Sequence, residues 1–161
     1  MRVRAAGPGD EGAVRAVVRA AYAPWVVRIG REPGPMGDDD DRRVAAGQAW
    51  VAEDAATGRV VGVLVLEEGG ADGAGGAGGA LLLDNVAVAP EAQGRGVGRA
   101  LLAFAEDEAR RRGHARVRLY TNALMAGNIA LYARLGYAET ARRREAGFDR
   151  VFMEKPLAPP R

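Results

Sequence analysis

Cysteine is absent from the 161 residues, so the chain has no disulfide framework, no thiolate metal site and no cysteine nucleophile. Lysine occurs once, at Lys155, and histidine once, at His114. Almost all the positive charge is therefore arginine. Neither sign dominates: 23 basic side chains face 21 acidic ones, a net charge of +2. So small an excess gives no footprint for nucleic acid, which calls for a clustered basic face. Aromatic residues make up only 6%. No apolar run reaches the length of a membrane span, and no apolar leader follows Met1, so the expectation is a soluble cytoplasmic protein.

What is present is a globular balance of 48% apolar and 27% charged residues, at a length that suits one domain over 1–161. A short strand is expected at Val3 to Ala5. A helix should then open at Asp10, bury Val14, Val17, Val18, Ala21 and Trp25 on one face, and lose its regularity at Pro24. Gly30 to Gly37 reads as irregular, and the acidic run Asp38 to Asp41 is followed by a short helical piece to Ala46. Gln48 to Glu53 and Val60 to Leu66 read as a strand hairpin. Residues 69–79 are almost wholly Gly and Ala. They bury too little to offset the entropy of ordering and are expected to be a mobile loop.

Further on come a strand at Leu81 to Val88 and a turn at Pro90 to Gly96. A long helix carries Val97, Leu101, Phe104, Ala105 and Ala109, and ends at Arg110-Arg111-Arg112-Gly113. Ala115 to Tyr120 is a strand and Asn128 to Leu135 a helix stopped by Gly136. A last hairpin surrounds Gly147, and residues 157–161 are expected to fray. The order β-α-α-β-β-β-α-β-α-β-β gives an α+β fold with a mixed sheet.

The chemistry concentrates in one segment, where the strand Asn85-Val86-Ala87-Val88 leads through Gln93-Gly94-Arg95-Gly96 into the helix Val97-Gly98-Arg99. Glycines at a helix start allow close approach of a ligand. The free N–H groups of the first turn and the helix dipole then favour an anion, and Arg95 and Arg99 add charge. The physical reading is a diphosphate site. A triphosphatase loop would need Lys and Ser or Thr after the last glycine, where Arg99-Ala100 stands. A dinucleotide fingerprint would need Gly or Ala where Arg99 stands. Gln93, Gly96 and Gly98 instead complete the turn Gln/Arg-x-x-Gly-x-Gly/Ala.

On these residues the chain resembles the GNAT superfamily of N-acetyltransferases, over essentially its whole length. The stretch Asn128, Ala130, Tyr132, Gly136, Tyr137 resembles a second, relaxed pattern of that superfamily. The resemblance implies a sheet of about six or seven mostly antiparallel strands with about four helices. It implies acetyl-CoA as co-substrate without a metal, and transfer of an acetyl group to a primary amine in a ternary complex. It places the pyrophosphate on the turn from Gln93 to Arg99. It implies a bulge in the strand before the turn, with the Val86 N–H facing the acetyl oxygen, the Val88 N–H facing the pantetheine arm, and Ala87 among the cofactor-binding residues. The same resemblance implies that Asn128 binds that arm and that Tyr132 stands near the sulfur.

Each of these residues also has a plainer reading. Tyr132 shares a face with Ile129 and Leu135 and can be core, and Asn128 can be a helix cap. Only a neutral amine attacks a thioester, so a base is needed. Asp84, just before Asn85, is the best carboxylate, either as that base or as a strand residue with a local hydrogen bond. Glu53 is a weaker substitute. His114, at a helix end, is expected to be exposed and non-catalytic.

The acceptor side is expected at Tyr22, Trp25 and Gly30 to Met36. The run Asp38 to Asp41 reads better as a solvated helix start than as an amine trap. Expected partners are a small-molecule or peptide amine, with a homodimer left open, and neither nucleic acid nor membrane. The competing function is a silent acetyl-CoA-binding regulator.

Overall fold

The computed structural model describes residues 1–68 and 79–158. The expected mobile loop therefore lies, apart from Gly79, outside the described residues, as does the end of the tail. Seven strands form one sheet, β1 (Arg2–Ala5), β2 (Ala49–Glu53), β3 (Val60–Glu68), β4 (Ala80–Val88), β5 (Arg116–Asn122), β6 (Ala138–Glu145) and β7 (Phe148–Pro156). Their order is β1-β2-β3-β4-β5-β7-β6. Pairing is antiparallel for β1 with β2, β2 with β3, β5 with β7 and β6 with β7, and parallel for β4 with β5. Four α-helices are found among the described residues: α1 (Glu11–Ile29), α2 (Asp40–Ala45), α3 (Val97–Arg111) and α4 (Ala126–Arg134). This is the expected α+β class with the expected order of elements. Among the described residues no helix is long and apolar enough to cross a membrane.

The chain falls into two compact units. One comprises Met1–Leu66 and Asn85–Ala105, the other Glu67–Asp84 and Glu106–Arg161. In the first, α1 buries Val14, Val17 and Val18, while β3 is buried on both faces through Leu66. That is why Val60 to Leu66 reads as a continuous apolar run rather than an alternation. Gly62 sits in this run. A Cβ added there would meet Val97 Cγ1 at 2.8 Å, Leu101 Cδ1 at 3.0 Å and Ala52 Cβ at 3.3 Å. The missing side chain lets the first turns of α3 lie directly on β3. Trp50 closes the same layer against Phe104, ring centroids 4.8 Å apart.

In the second unit the β4–β5 ladder runs from Ala80 to Leu83 against Arg116 to Leu119. On the other side of β5, β7 pairs along its whole length. The β6–β7 hairpin turns on Ala146 and Gly147, with φ of 50° and 80°. Two successive positive φ values make a turn whose twist suits a two-residue hairpin.

Three local expectations need correction. Helix α1 does not lose its regularity at Pro24 but runs on to Ile29, where Gly30 at φ 90° caps it by giving its N–H to the Val26 carbonyl. Pro24 is exposed, so the carbonyl deprived of its partner can turn to water. Asp10 holds the N-cap position without a side-chain cap bond. Its carboxylate reaches back instead to Arg4, at 2.7 Å, and to the Gly7 N–H, at 2.7 Å. The segment Gly30 to Gly37 includes a 3-10 turn at Gly34–Gly37, which the fixed φ of Pro35 favours.

Candidate active site

In the first unit, β4 delivers the chain into the turn. Asn85 and Ala87 are buried, and Val86 and Val88 are half-buried. The Tyr22 hydroxyl of α1 donates to Asn85 Oδ1 at 2.8 Å, tying the helix to the strand. Ala89 gives its N–H to the Val61 carbonyl at 2.8 Å, and a 3-10 turn at Pro90–Ala92 swings the chain round. Gln93 then folds its side-chain amide back onto the Val88 carbonyl, 3.2 Å away, and so braces the two ends of the turn.

Gly94 and Gly96 have φ of 79° and 85°, and a Cβ on either would meet nothing within 4 Å. Their glycines are thus demanded by backbone conformation and leave open space beside the chain. Gly98 differs: a Cβ there would make only an ordinary contact, 3.7 Å from Val88 Cγ2. The Ala100 N–H bonds to the Gly96 carbonyl. The N–H groups of Val97, Gly98 and Arg99 precede that bond and have no partner within the helix. Arg95 reaches Asp54 at 3.3 Å but stays 61% exposed, and Arg99 is exposed. Donors, open space and two exposed cations suit a diphosphate such as that of acetyl-CoA.

In the second unit, Asp84 is half-buried and accepts a hydrogen bond from the Tyr120 hydroxyl at 3.0 Å. Asn128 is not a helix cap. The N-cap is Met125, and Asn128 lies in the first turn with its amide 3.6 Å from the Met125 sulfur. Tyr132 is buried on α4, edge-on to Tyr137 at 6.0 Å. No hydrogen bond to its hydroxyl exists among the described residues, and burial pushes its pKa up to about 12. The Tyr137 hydroxyl is also raised by burial, with the Glu106 charge adding to the effect. It is buried without a partner among the described residues.

Three expectations change here. His114 is buried, its side chain 1% exposed, with Nε2 2.7 Å from Glu68 Oε2. Arg112 joins the same carboxylate at 2.8 Å. The turn at Gly113 folds the ring inward, and a partner far along the chain makes that burial tolerable. Glu53 is bound to Arg4 at 2.5 Å, which makes it a structural ion-pair partner. The run Asp38 to Asp41 is only partly a solvated helix start. Asp39 caps α2 at the Arg42 N–H, Asp41 pairs with Arg15 and Asp38 with Arg43, while Asp40 is buried.

The reading of the chain alone missed Tyr120 as the partner of Asp84 and Asn85 as the partner of Tyr22. It also missed Gly62, whose signal was available: a glycine inside an apolar strand marks a close approach.

The match to the acetyltransferase (GNAT) family spans residues 15–137, and the chain belongs to that family. Over 82 residues it is 47% identical to the ribosomal protein bS18–alanine N-acetyltransferase of Escherichia coli strain K12, covering 47% of this chain and 55% of that protein. The chain spans about half the length of the curated relatives it matches. Among solved structures it is similar to the ribosomal-protein-alanine N-acetyltransferase of Brucella melitensis. That similarity has a TM-score of 0.73 and 27% identity, covering 98% of this chain and all of the other. It is also similar to yncA of Salmonella typhimurium, solved with its cofactor acetyl-CoA, at a TM-score of 0.73 and 26% identity, covering 100% and 96%.

Proposed function

We propose that this protein is an N-acetyltransferase, acting as one domain over 1–161, that moves the acetyl group of acetyl-CoA to a primary amine. The observation that carries the reading is the turn from Gln93 to Arg99. Two glycines at positive φ stand beside open space, and three N–H groups with no partner inside the helix follow at the start of a fifteen-residue helix. Acetyl-CoA supplies the activated acyl group. The residues of this chain bind, orient and move protons. The N–H groups of Gly96 to Arg99, with Gln93, Gly94 and Arg95 shaping the turn, hold the pyrophosphate. The N–H of Val86 faces the thioester oxygen where negative charge develops, and Ala87 and Val88 line the pantetheine arm with Asn128.

Asp84, oriented by Tyr120, takes a proton from the incoming amine, and Tyr132 gives one to the departing sulfur. In this reading attack is direct, in a ternary complex; with no cysteine in the chain a thioester-linked acyl-enzyme has no carrier. A relative acts on the alanine of a ribosomal protein, which favours a peptide N-terminal amine as the acceptor class. A cytoplasmic setting belongs to the same proposal.

Thiol release from acetyl-CoA, measured with N-terminal alanyl peptides, free amino acids and polyamines, tests the reading. Intersecting lines are expected when both substrates are varied. Binding of acetyl-CoA with no release above hydrolysis across the panel would replace the enzyme by a silent coenzyme A-binding domain.

A further inference from the structure

The β6–β7 hairpin carries four arginines around an open pocket of about 370 Å³, lined by Ala123, Arg142, Arg143, Arg144, Asp149 and Arg150. The register makes Arg143 and Arg150 direct cross-strand partners. Like charges at directly opposite positions repel, so this pairing is a local conflict in an otherwise consistent sheet. Arginine on an edge strand such as β6 also guards against sheet-to-sheet association, but that purpose needs no second arginine facing it from β7.

Compensation is incomplete. Arg143 reaches Glu145 at 3.1 Å and Arg150 reaches the same carboxylate at 3.4 Å. A guanidinium has about five N–H donors. Among the described residues each of these two therefore uses one donor on the shared Glu145 and keeps the rest available. Both planes are held in place by rings. Arg143 lies over Phe152 at 4.1 Å and Arg150 over Tyr120 at 4.5 Å. Stacked guanidiniums present their N–H edges in a fixed fork, the arrangement that matches a planar carboxylate. The same Tyr120 carries the hydrogen bond to Asp84. One aromatic residue thus links the arginine pair to the carboxylate assigned as the base.

The geometry points to a subsite in which Arg143 and Arg150 hold a carboxylate of the acceptor, so that the preferred substrate is an acidic amine, such as a peptide with an acidic side chain next to its N-terminal residue. The inference rests on the acetyltransferase reading and narrows its acceptor.

The test uses the full chain and two C-terminally amidated dipeptides, Ala-Glu and Ala-Gln, which differ only in carboxylate against amide. Backbone amide shifts of Ala123 and of Phe148 to Arg150 report binding, and thiol release reports transfer. Ala-Glu is expected to bind about 10-fold more tightly or better, and to show a similar advantage in kcat/KM carried by KM. Arg143→Gln and Arg150→Gln should each bring the Glu-to-Gln ratio close to one. Arg150→Lys should restore only part of it, since a point charge lacks the fork. Coenzyme A affinity of each variant checks its fold.

A ratio near one in the parent, or one kept in both glutamine variants, overturns the subsite. Equal shifts from inorganic phosphate at the same concentration overturn the carboxylate assignment. Preferential binding of Ala-Glu at the hairpin without any thiol release supports the subsite, and it is then the acetyltransferase reading that fails.

Discussion

Burial pushes the Tyr132 hydroxyl up to about 12, so the residue is neutral throughout the range in which an amine is acetylated. That is the right state for a proton donor. The magnitude, however, limits how the donation can occur. A free thiol titrates near 8.5, so outright transfer from an acid near 12 is uphill by about 3.5 pKa units, or about 5 kcal/mol. Tyr132 can serve only if the loss is made good as it happens. The attacking nitrogen must shed a proton in the same reaction, and relaying it through the hydroxyl while the carbon–sulfur bond breaks leaves the tyrosine neutral at the end. Tyr132→Phe should keep the ring packing against Tyr137 and most of the coenzyme A affinity. It should lower kcat by ~10²–10⁴. Single-turnover rates with coenzyme A titrations separate the two effects. A rate per folded molecule equal to the parent's removes the acid role.

At the scale of elements, the position of α3 depends on a residue with no side chain. Gly62→Ala would bring a methyl within 2.8 Å of Val97 and 3.0 Å of Leu101, the residues that seat the first turns of α3 on β3. Overpacking of this kind costs ~1–3 kcal/mol. Because the displaced turn carries the N–H groups that have no partner inside the helix, coenzyme A affinity should fall as well, by more than the loss of stability alone would cause in a folded sample. Denaturant titration beside calorimetric binding would show both. Unchanged affinity would mean that the turn is positioned by β4 alone.

The start of α1 offers a pH test. The hydrogen bond from Arg4, then the bond from the Gly7 N–H, hold the Asp10 carboxyl below its ordinary 3.8. A depressed folded value contributes stability that is complete above the unfolded pKa and is lost as pH falls through the folded one. Asp10→Ala should therefore cost ~1.5 kcal/mol at pH 7, the low end for a charged hydrogen bond because the pair is partly exposed. The gap from the parent should narrow between pH 4 and pH 2. A gap constant with pH would assign the loss to packing.

At the scale of the molecule, what could be read from the chain was what is local. The period of Val14, Val17 and Val18 gave α1, the apolar run from Val60 gave β3, and Gln93 to Gly98 gave the turn. What could not be read depends on strand order and register. That β7 inserts between β5 and β6 is what sets Arg150 beside Tyr120 and opposite Arg143, and no local pattern encodes it. The burial of His114 is illegible for the same reason, since its partner Glu68 lies 46 residues away.

The proposed diphosphate site is the exception that joins both scales. It is written in consecutive residues, yet ligand binding there must show in the stability of the whole chain, because a ligand that binds only the folded state stabilises it by mass action. At 100 times its Kd, coenzyme A should add about 2.7 kcal/mol, which for a chain of this length raises Tm by about 5–10 °C. Gly96→Val forces a branched side chain to φ 85°, costs ~1–2 kcal/mol on its own and fills the space beside the turn, so most of the rise should disappear. Gly98→Ala, whose new Cβ would meet only Val88 at 3.7 Å, should keep the larger part. Scanning calorimetry of the three proteins with and without coenzyme A decides the matter. A parent whose Tm does not move has no coenzyme A site, and a Gly96→Val variant that gains as much as the parent places the ligand somewhere other than this turn.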